Sequence, residues 1–250
     1  MKKWFELNPS LFHELKCSVE KKYPTLVVLI EDDNVYIRGN LFLYSLDGRE
    51  MDHYLIEINI LENYPNSIPI VREMGARIPR IADRHINPEK GNACLFLPDE
   101  RYKYYPPSST IVDFIEGPVK SFFLWQTDFD LNGSKSSFGA RGHNTLGRYE
   151  FYCEELKTKD IYIIKRSLDY ITAKKLKKHW KCYCGSGKEL RYCHINKLVD
   201  LRAKILRNDA KCSLVEIEKV KLELARRILE TSRNKCSGLK MKFWAFMITE

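Results

Sequence analysis

Met51-Asp52-His53-Tyr54-Leu55-Ile56-Glu57-Ile58-Asn59-Ile60-Leu61 alternates along its length, and that alternation decides the fold class. Tyr54, Ile56, Ile58 and Ile60 recur at every second position and therefore share one face of a strand. Working outward, Asp47-Gly48 is a turn signal, and residues 35–46 read as the strand before it. Asp32-Asp33-Asn34 is an earlier turn, with a β-rich run over 25–31 in front of it. On the other side, residues 63–69 form a proline-punctuated loop and Ile70–Glu73 a short fourth strand. Short turns between consecutive strands imply an antiparallel meander. Residues 10–22 precede it, with Leu11, Leu15 and Val19 at helical spacing after Asn8-Pro9. The expectation is α+β: a helix, a four-stranded antiparallel meander, and further helices behind.

Those further elements are less regular. Residues 78–107 hold Pro79, Pro88, Pro98, Pro106, Pro107 and Gly91 and show little periodicity, yet 93–97 is too apolar for disorder. Long irregular segments of this kind inside a domain are usually functional. A helix is expected from Ser109, since Ile111, Phe114, Ile115, Val119, Phe122 and Phe123 recur at three- and four-residue spacing. Gly117-Pro118 marks a kink or a junction in it. Residues 131–147 are rich in Gly, Ser and Asn and read as a loop, and 148–156 as the last helix of a first domain. Beyond it, 161–164 reads as a strand followed by a short helix. Ser213-Leu214-Val215-Glu216 fits a capping box ahead of Ile217, Val220, Leu224 and Ile228. The expected domains are 1–156 and a zinc-binding tail, 157–250, carrying a terminal helix.

Of the 250 residues, 44% are hydrophobic and 12% aromatic, which excludes a wholly disordered chain. No uninterrupted apolar run approaches the roughly 20 residues of a membrane span, and no signal-peptide apolar region follows Met1-Lys2-Lys3. The chain reads as soluble, cytoplasmic and not membrane-bound. Charge is uneven. Residues 1–156 carry 18 Lys+Arg against 23 Asp+Glu, and 157–250 carry 24 against 10. A solvated basic face accounts for the tail's excess; so does contact with nucleic acid, a ribosome or an acidic protein.

The eight cysteines, with no export signal, point to metal binding or thiol chemistry rather than disulfides. Cys182-Tyr183-Cys184-Gly185-Ser186-Gly187-Lys188 followed by Cys193-His194 brings three sulfurs and one imidazole into a short stretch. Four such ligands suit tetrahedral Zn2+, and with no open position the site is structural. The two glycines let the chain reverse between the ligand pairs. These residues resemble the SEC-C motif, a small zinc-binding tail found on a translocation motor protein and many other bacterial proteins. That resemblance implies protein or ribosome contacts, with Lys188 and Arg191 at the surface. Cys17, Cys153, Cys212 and Cys236 have no ligand spacing, and Phe243-Trp244-Phe246 is expected to dock on a core.

A second resemblance covers residues 8–156. Tyr64-Pro65-Asn66-Ser67-Ile68-Pro69, then Ile78-Pro79, His85-Ile86-Asn87 and Gly91-Asn92-Ala93-Cys94-Leu95, follow the helix and meander in the order seen in ubiquitin-conjugating enzymes, especially divergent prokaryotic members. Gly142-His143 and residues 149–156 resemble their final segment. Ile86 stands where the family has proline, and Asn87 precedes Cys94 by one residue fewer than is common. The resemblance implies a UBC-like transferase that carries a ubiquitin-like modifier as a thioester on Cys94 and passes it to an amine of a protein target. Its partners would be an activating enzyme and the modifier, in a bacterial modification or anti-phage pathway. Asn87 would donate to the oxyanion or stiffen the loop, and His85, counted with Cys94 and Asn87 as a candidate catalytic residue, would order that loop by hydrogen bonds or act as a base. Asp99, Glu100 and Asp128 are candidates to assist the incoming amine, and the role of His143 is open. Two other readings remain: a cysteine hydrolase using Cys94 with His85 or His143, and a non-catalytic module that binds protein or RNA.

Overall fold

A computed structural model of the chain describes residues 2–133 and 144–220. It divides into two compact units, residues 1–140 and 141–250. Among the described residues no helix is long and apolar enough to cross a membrane.

The first unit is α+β. A short α1 (Trp4–Leu7) precedes α2 (Pro9–Lys22). Asn8 caps α2 by accepting from the Leu11 N–H at 3.1 Å, and Pro9 fits the first turn, where its missing N–H is no loss. The four strands are β1 (Leu26–Glu31), β2 (Asn34–Tyr44), β3 (Glu50–Ile60) and β4 (Ile70–Glu73). They form one antiparallel sheet in chain order, as the turn spacing predicts. Asp32 and Asp33 both take positive φ, the geometry a two-residue hairpin with right-handed twist requires.

Alternation sorts the faces. Val35, Ile37, Leu41 and Leu43 of β2, with Tyr54, Ile56, Ile58 and Ile60 of β3, are buried on one side. Leu15 and Val19 of α2 pack in the same core, with Phe114, Val119 and Phe123 from the helices that follow. The opposite face carries a charge ladder in which Glu57 accepts from Arg38 at 2.8 Å and from Arg72 at 3.1 Å.

After the irregular segment, α3 (Arg101–Tyr104) leads to α4 (Ile111–Phe114), capped reciprocally by Thr110 and Asp113. Gly117-Pro118 is where regularity fails, and the break takes a specific form. Ile115–Val119 is a π turn, in which the Lys120 N–H reaches the Ile115 carbonyl. It absorbs Pro118, which has no N–H to give. Then α5 (Lys120–Asn132) buries Phe122, Phe123, Gln126 and Thr127.

In the second unit, α6 (Asn144–Leu156) starts earlier than the composition of 131–147 suggested, and it groups with the residues after it rather than before it. The expected strand at 161–164 is instead the first turn of α7 (Ile161–Thr172). Asp160 caps that turn through the Tyr162 and Ile163 N–H groups, and Ile164, Leu168 and Ile171 continue one buried stripe. Local β preference loses there to the cap and the apolar period. Next come α8 (Ile195–Lys204) and a helix, α9, over 207–220. Residues 213–216 lie inside α9, so they are not a capping box; Ser213 is buried beside Arg148. Ile217 and Val220 are buried as expected, while Leu224 and Ile228 lie outside the described residues.

Candidate functional site

Two clusters of chemistry-bearing residues stand out, one in each unit. In the first unit, the chain leaves β4 and returns to its edge. The Ala93 N–H donates to the Val71 carbonyl at 2.8 Å, and Arg72 pairs with Asn92. The returning segment also pairs with residues 85–87. Cys94 N–H donates to the His85 carbonyl at 2.7 Å, Asn87 N–H to the Asn92 carbonyl at 2.9 Å, and Ile86 bridges Ala93. Ile86 and Ala93 are buried in the core, so the small hairpin that holds Cys94 is anchored on both arms. His85, Asn87 and Cys94 are therefore brought into one hairpin.

Asn87 braces its tip. Its Oδ1 accepts from the Glu89 N–H at 3.0 Å and the Lys90 N–H at 2.8 Å, and Gly91 reverses the chain at φ 67°. His85 sits at positive φ (51°), and its ring meets Trp125 of α5 edge-on at 4.9 Å. The Cys94 thiol is half-buried, and burial pushes its pKa up. Asp99 and Glu100 follow in a buried turn; Lys103 pairs with Glu100 at 3.0 Å. Asp128 accepts from Asn132 within α5. His143 lies outside the described residues.

Sequence reasoning missed the clasp that locks this hairpin to α5. Arg84 Nε donates to Gln126 Oε1 at 2.7 Å, and Gln126 Nε2 donates back to the Arg84 carbonyl at 2.7 Å. Arg84 also donates to Asp130 at 2.6 Å. The partners lie 42 residues apart, so no local pattern exposes them. Gln126 is fully buried. Gln126→Leu leaves a buried guanidinium and a carbonyl short of partners, and is expected to cost about 3 kcal/mol of unfolding free energy. Urea denaturation checks this; a loss below about 1 kcal/mol would mean that water replaces the clasp.

In the second unit, Cys182, Cys184, Cys193 and His194 place one ligand atom each within 4.8 Å of one another. Cys182 Sγ is 3.2 Å from His194 Nδ1, Cys193 Sγ is 3.1 Å from the same nitrogen, and Cys184 Sγ is 3.6 Å from Cys193 Sγ. The backbone explains the convergence. Lys181 bridges Glu189, and the Cys182 N–H donates to the Lys188 carbonyl at 2.8 Å. Gly185 and Gly187 turn the chain at φ 79° and 75°. Leu190 is buried under a single tight turn, Leu190–Tyr192, and delivers Cys193 and His194 at the start of α8.

Burial pushes Cys182 up to about 11. It would raise Cys184 too, but hydrogen bonds from Ser186, Cys182 and Cys193 outweigh it and bring Cys184 down to about 6. Ser186, whose Oγ lies 3.6 Å from Cys193 Sγ, is a contributor that the ligand spacing alone did not mark. The four residues could hold a metal ion. Cys17 and Cys212 are exposed, Cys153 is half-buried on α6, and none of the three joins either cluster. Cys236 and residues 243–246 lie outside the described residues. Comparison of the chain with models of known families, with curated proteins and with solved structures returned no match.

Proposed function

We propose that this protein is a thioester carrier resembling ubiquitin-conjugating enzymes, with a zinc-stabilised second unit. One observation carries the first half. Cys94 sits on a braced hairpin tied to the edge of a four-stranded antiparallel meander, with a helix before the sheet and helices after it. A carrier thiol needs a fixed position and access from one side, and the half-buried Cys94 has both.

In the reaction, the Cys94 sulfur attacks the carbonyl carbon of a modifier held as a thioester on an activating enzyme. A new C–S bond forms as Cys94 gives up its proton, the old C–S bond breaks, and the activating enzyme's sulfur leaves with the bonding pair and takes up that proton, directly or through solvent. Next, an amine of the target attacks the same carbonyl. A C–N bond forms, Cys94 departs as thiolate, and the amine proton passes to solvent or a nearby carboxylate. The Asn87 Oδ1 is committed to its turn, which leaves the amide's N–H groups as its donors toward an oxyanion. Burial raises the Cys94 thiol, so the sulfur must lose its proton as it adds to the carbonyl.

Zinc is the metal proposed for the second cluster. Zn–S bonds of about 2.3 Å and Zn–N bonds of about 2.0 Å imply tetrahedral edges of about 3.8 Å between sulfurs and about 3.5 Å between sulfur and nitrogen; here one S–S edge is 3.6 Å and two S–N edges are 3.1 and 3.2 Å. Cys182, Cys184, Cys193 and His194 would hold it as a crosslink in a segment with little apolar core of its own.

The test mixes the purified protein with an activating enzyme, its modifier and ATP, and reads intact mass. Wild type is expected to gain a thiol-sensitive adduct that Cys94→Ala abolishes completely. In Cys94→Ser the adduct is absent or becomes stable to thiol. An activating enzyme that charges itself while this protein stays unmodified would reject the carrier role. It would shift weight to a protein that only binds protein or RNA.

A further inference from the structure

The second unit has a basic surface that neither the metal cluster nor the thioester chemistry uses. Between α7 and α8, Lys174, Lys175, Lys177, Lys178, Lys181 and Lys188 are all exposed. Over 174–191 the only carboxylate in the chain is Glu189, and it faces Arg191. Among the described residues no carboxylate lies within ion-pairing distance of any of the six lysines; Lys181 Nζ donates instead to the Gly187 carbonyl at 3.0 Å. Like charges at this density repel, and the segment's one carboxylate is paired with Arg191.

The backbone holds these charges together. Arg191 N–H donates to the Lys178 carbonyl at 3.0 Å, Leu190 N–H to the Trp180 carbonyl at 2.7 Å, and Cys182 N–H to the Lys188 carbonyl at 2.8 Å. The 177–182 strip and the 188–191 strip are thus laced side by side. Arg202 fixes the approach from α7 by donating to the carbonyls of Tyr170, Ile171 and Ala173 at 2.7 to 2.9 Å.

An aromatic pair sits in the same segment as these lysines. Trp180 is half-buried, with its ring 4.9 Å from that of Tyr170 at 41°. Tyr170 is held by its hydroxyl, which donates to the Lys181 carbonyl at 2.8 Å. Lys177 Nζ lies 6.0 Å from the Trp180 ring centroid. A fixed aromatic bordered by unpaired lysines is what a single strand uses: phosphates for the cations and a base face for the ring. An acidic peptide would answer the lysines but has no use for the ring.

We infer that the lysine-rich strips flanking Trp180 bind single-stranded nucleic acid. This goes beyond the carrier reading and does not depend on Cys94. It requires the metal knuckle to be folded, so metal content is measured for every variant.

The experiment uses the full chain with a fluorescein-labelled oligouridine of about 15 nucleotides, read by anisotropy across a salt series. The expected result is binding whose log–log salt slope is about −0.7 per phosphate neutralised. Lys177→Ala with Lys178→Ala should shallow that slope by about 1.4, with metal content unchanged. Trp180→Leu should weaken binding about tenfold at fixed salt while leaving the slope unaltered. Oligothymidine of the same length separates an RNA source from a DNA one: equal affinity means the 2′-hydroxyl is not read. Polyglutamate and a duplex of equal charge serve as competitors. If polyglutamate displaces the oligonucleotide charge for charge, or if the duplex binds equally well, the surface answers to charge alone and the inference fails. No anisotropy change at low salt, or metal-replete variants that bind like wild type, would also overturn it.

Discussion

Cys182→Ser is expected to abolish stoichiometric zinc binding and to leave residues 177–194 without a fold. Cys182 is the most buried of the four ligands, and the strips that carry the ligands are joined by few backbone bonds. Its immediate apolar support is little more than Leu190 and Tyr183. A segment that small cannot offset its own chain entropy, at about 1 to 2 kcal/mol per ordered residue. Structural zinc supplies an apparent 10 to 16 kcal/mol at neutral pH in comparable small sites, so losing it has a large effect (about 10 kcal/mol of local stability). Native mass spectrometry should find one zinc per wild-type chain and none in the variant, and hydrogen exchange over 177–194 should rise to unprotected rates. A chelator should do the same to wild type. Protection that is unchanged after complete metal removal would refute a structural role for the ion.

Gly39→Ala is expected to destabilise the first unit by about 3 kcal/mol or more. Gly39 lies in β2, paired with Leu26 on one side and Ile56 on the other. Its φ is +143°, and a Cβ placed there would stand 1.9 Å from the Thr25 carbonyl oxygen and 3.2 Å from the Leu26 Cα. Backbone meets backbone, so no rotamer relieves the contact, and β1 must move away from the sheet. Gly48 is the internal comparison. It also has positive φ (+80°), but nothing lies within 4 Å of its missing Cβ. Gly48→Ala should therefore cost only the conformational penalty, about 1 kcal/mol. Urea melts of both variants decide the matter. Equal losses would show that the close approach at Thr25 is soft.

Legibility in the sequence tracked the distance over which each feature is encoded. Period-two burial in β2 and β3, the Asp32-Asp33 turn and the spacing of α2 are local, and the structure follows them within a residue or two. The Cys182, Cys184, Cys193 and His194 cluster, which could hold a metal, is local as well, because Gly185 and Gly187 sit within it and make the reversal explicit. Residues 161–164 misled because four β-preferring side chains in a row outweighed the Asp160 cap, while the buried stripe that decides the matter runs on to Ile171. The Ser213 capping signature was a coincidence inside α9, where Ser213 packs inward beside Arg148. The clasp of Arg84 with Gln126 and the laced strips around Trp180 depend on contacts that only the folded chain makes.

The π turn at Ile115–Val119 has an effect on the chain's length. Because the Lys120 N–H bonds five residues back instead of four, this turn holds one residue more than an α-helix would. Elsewhere in a helix, removing a residue swings everything downstream by about 100°. Here the surplus is already looped out, so a chain lacking Pro118 could close the turn as ordinary α-helix and keep Phe122, Phe123 and Gln126 aimed at the same neighbours. The helix that clasps the Cys94 hairpin thus has a register insulated from single-residue changes in length just upstream of it.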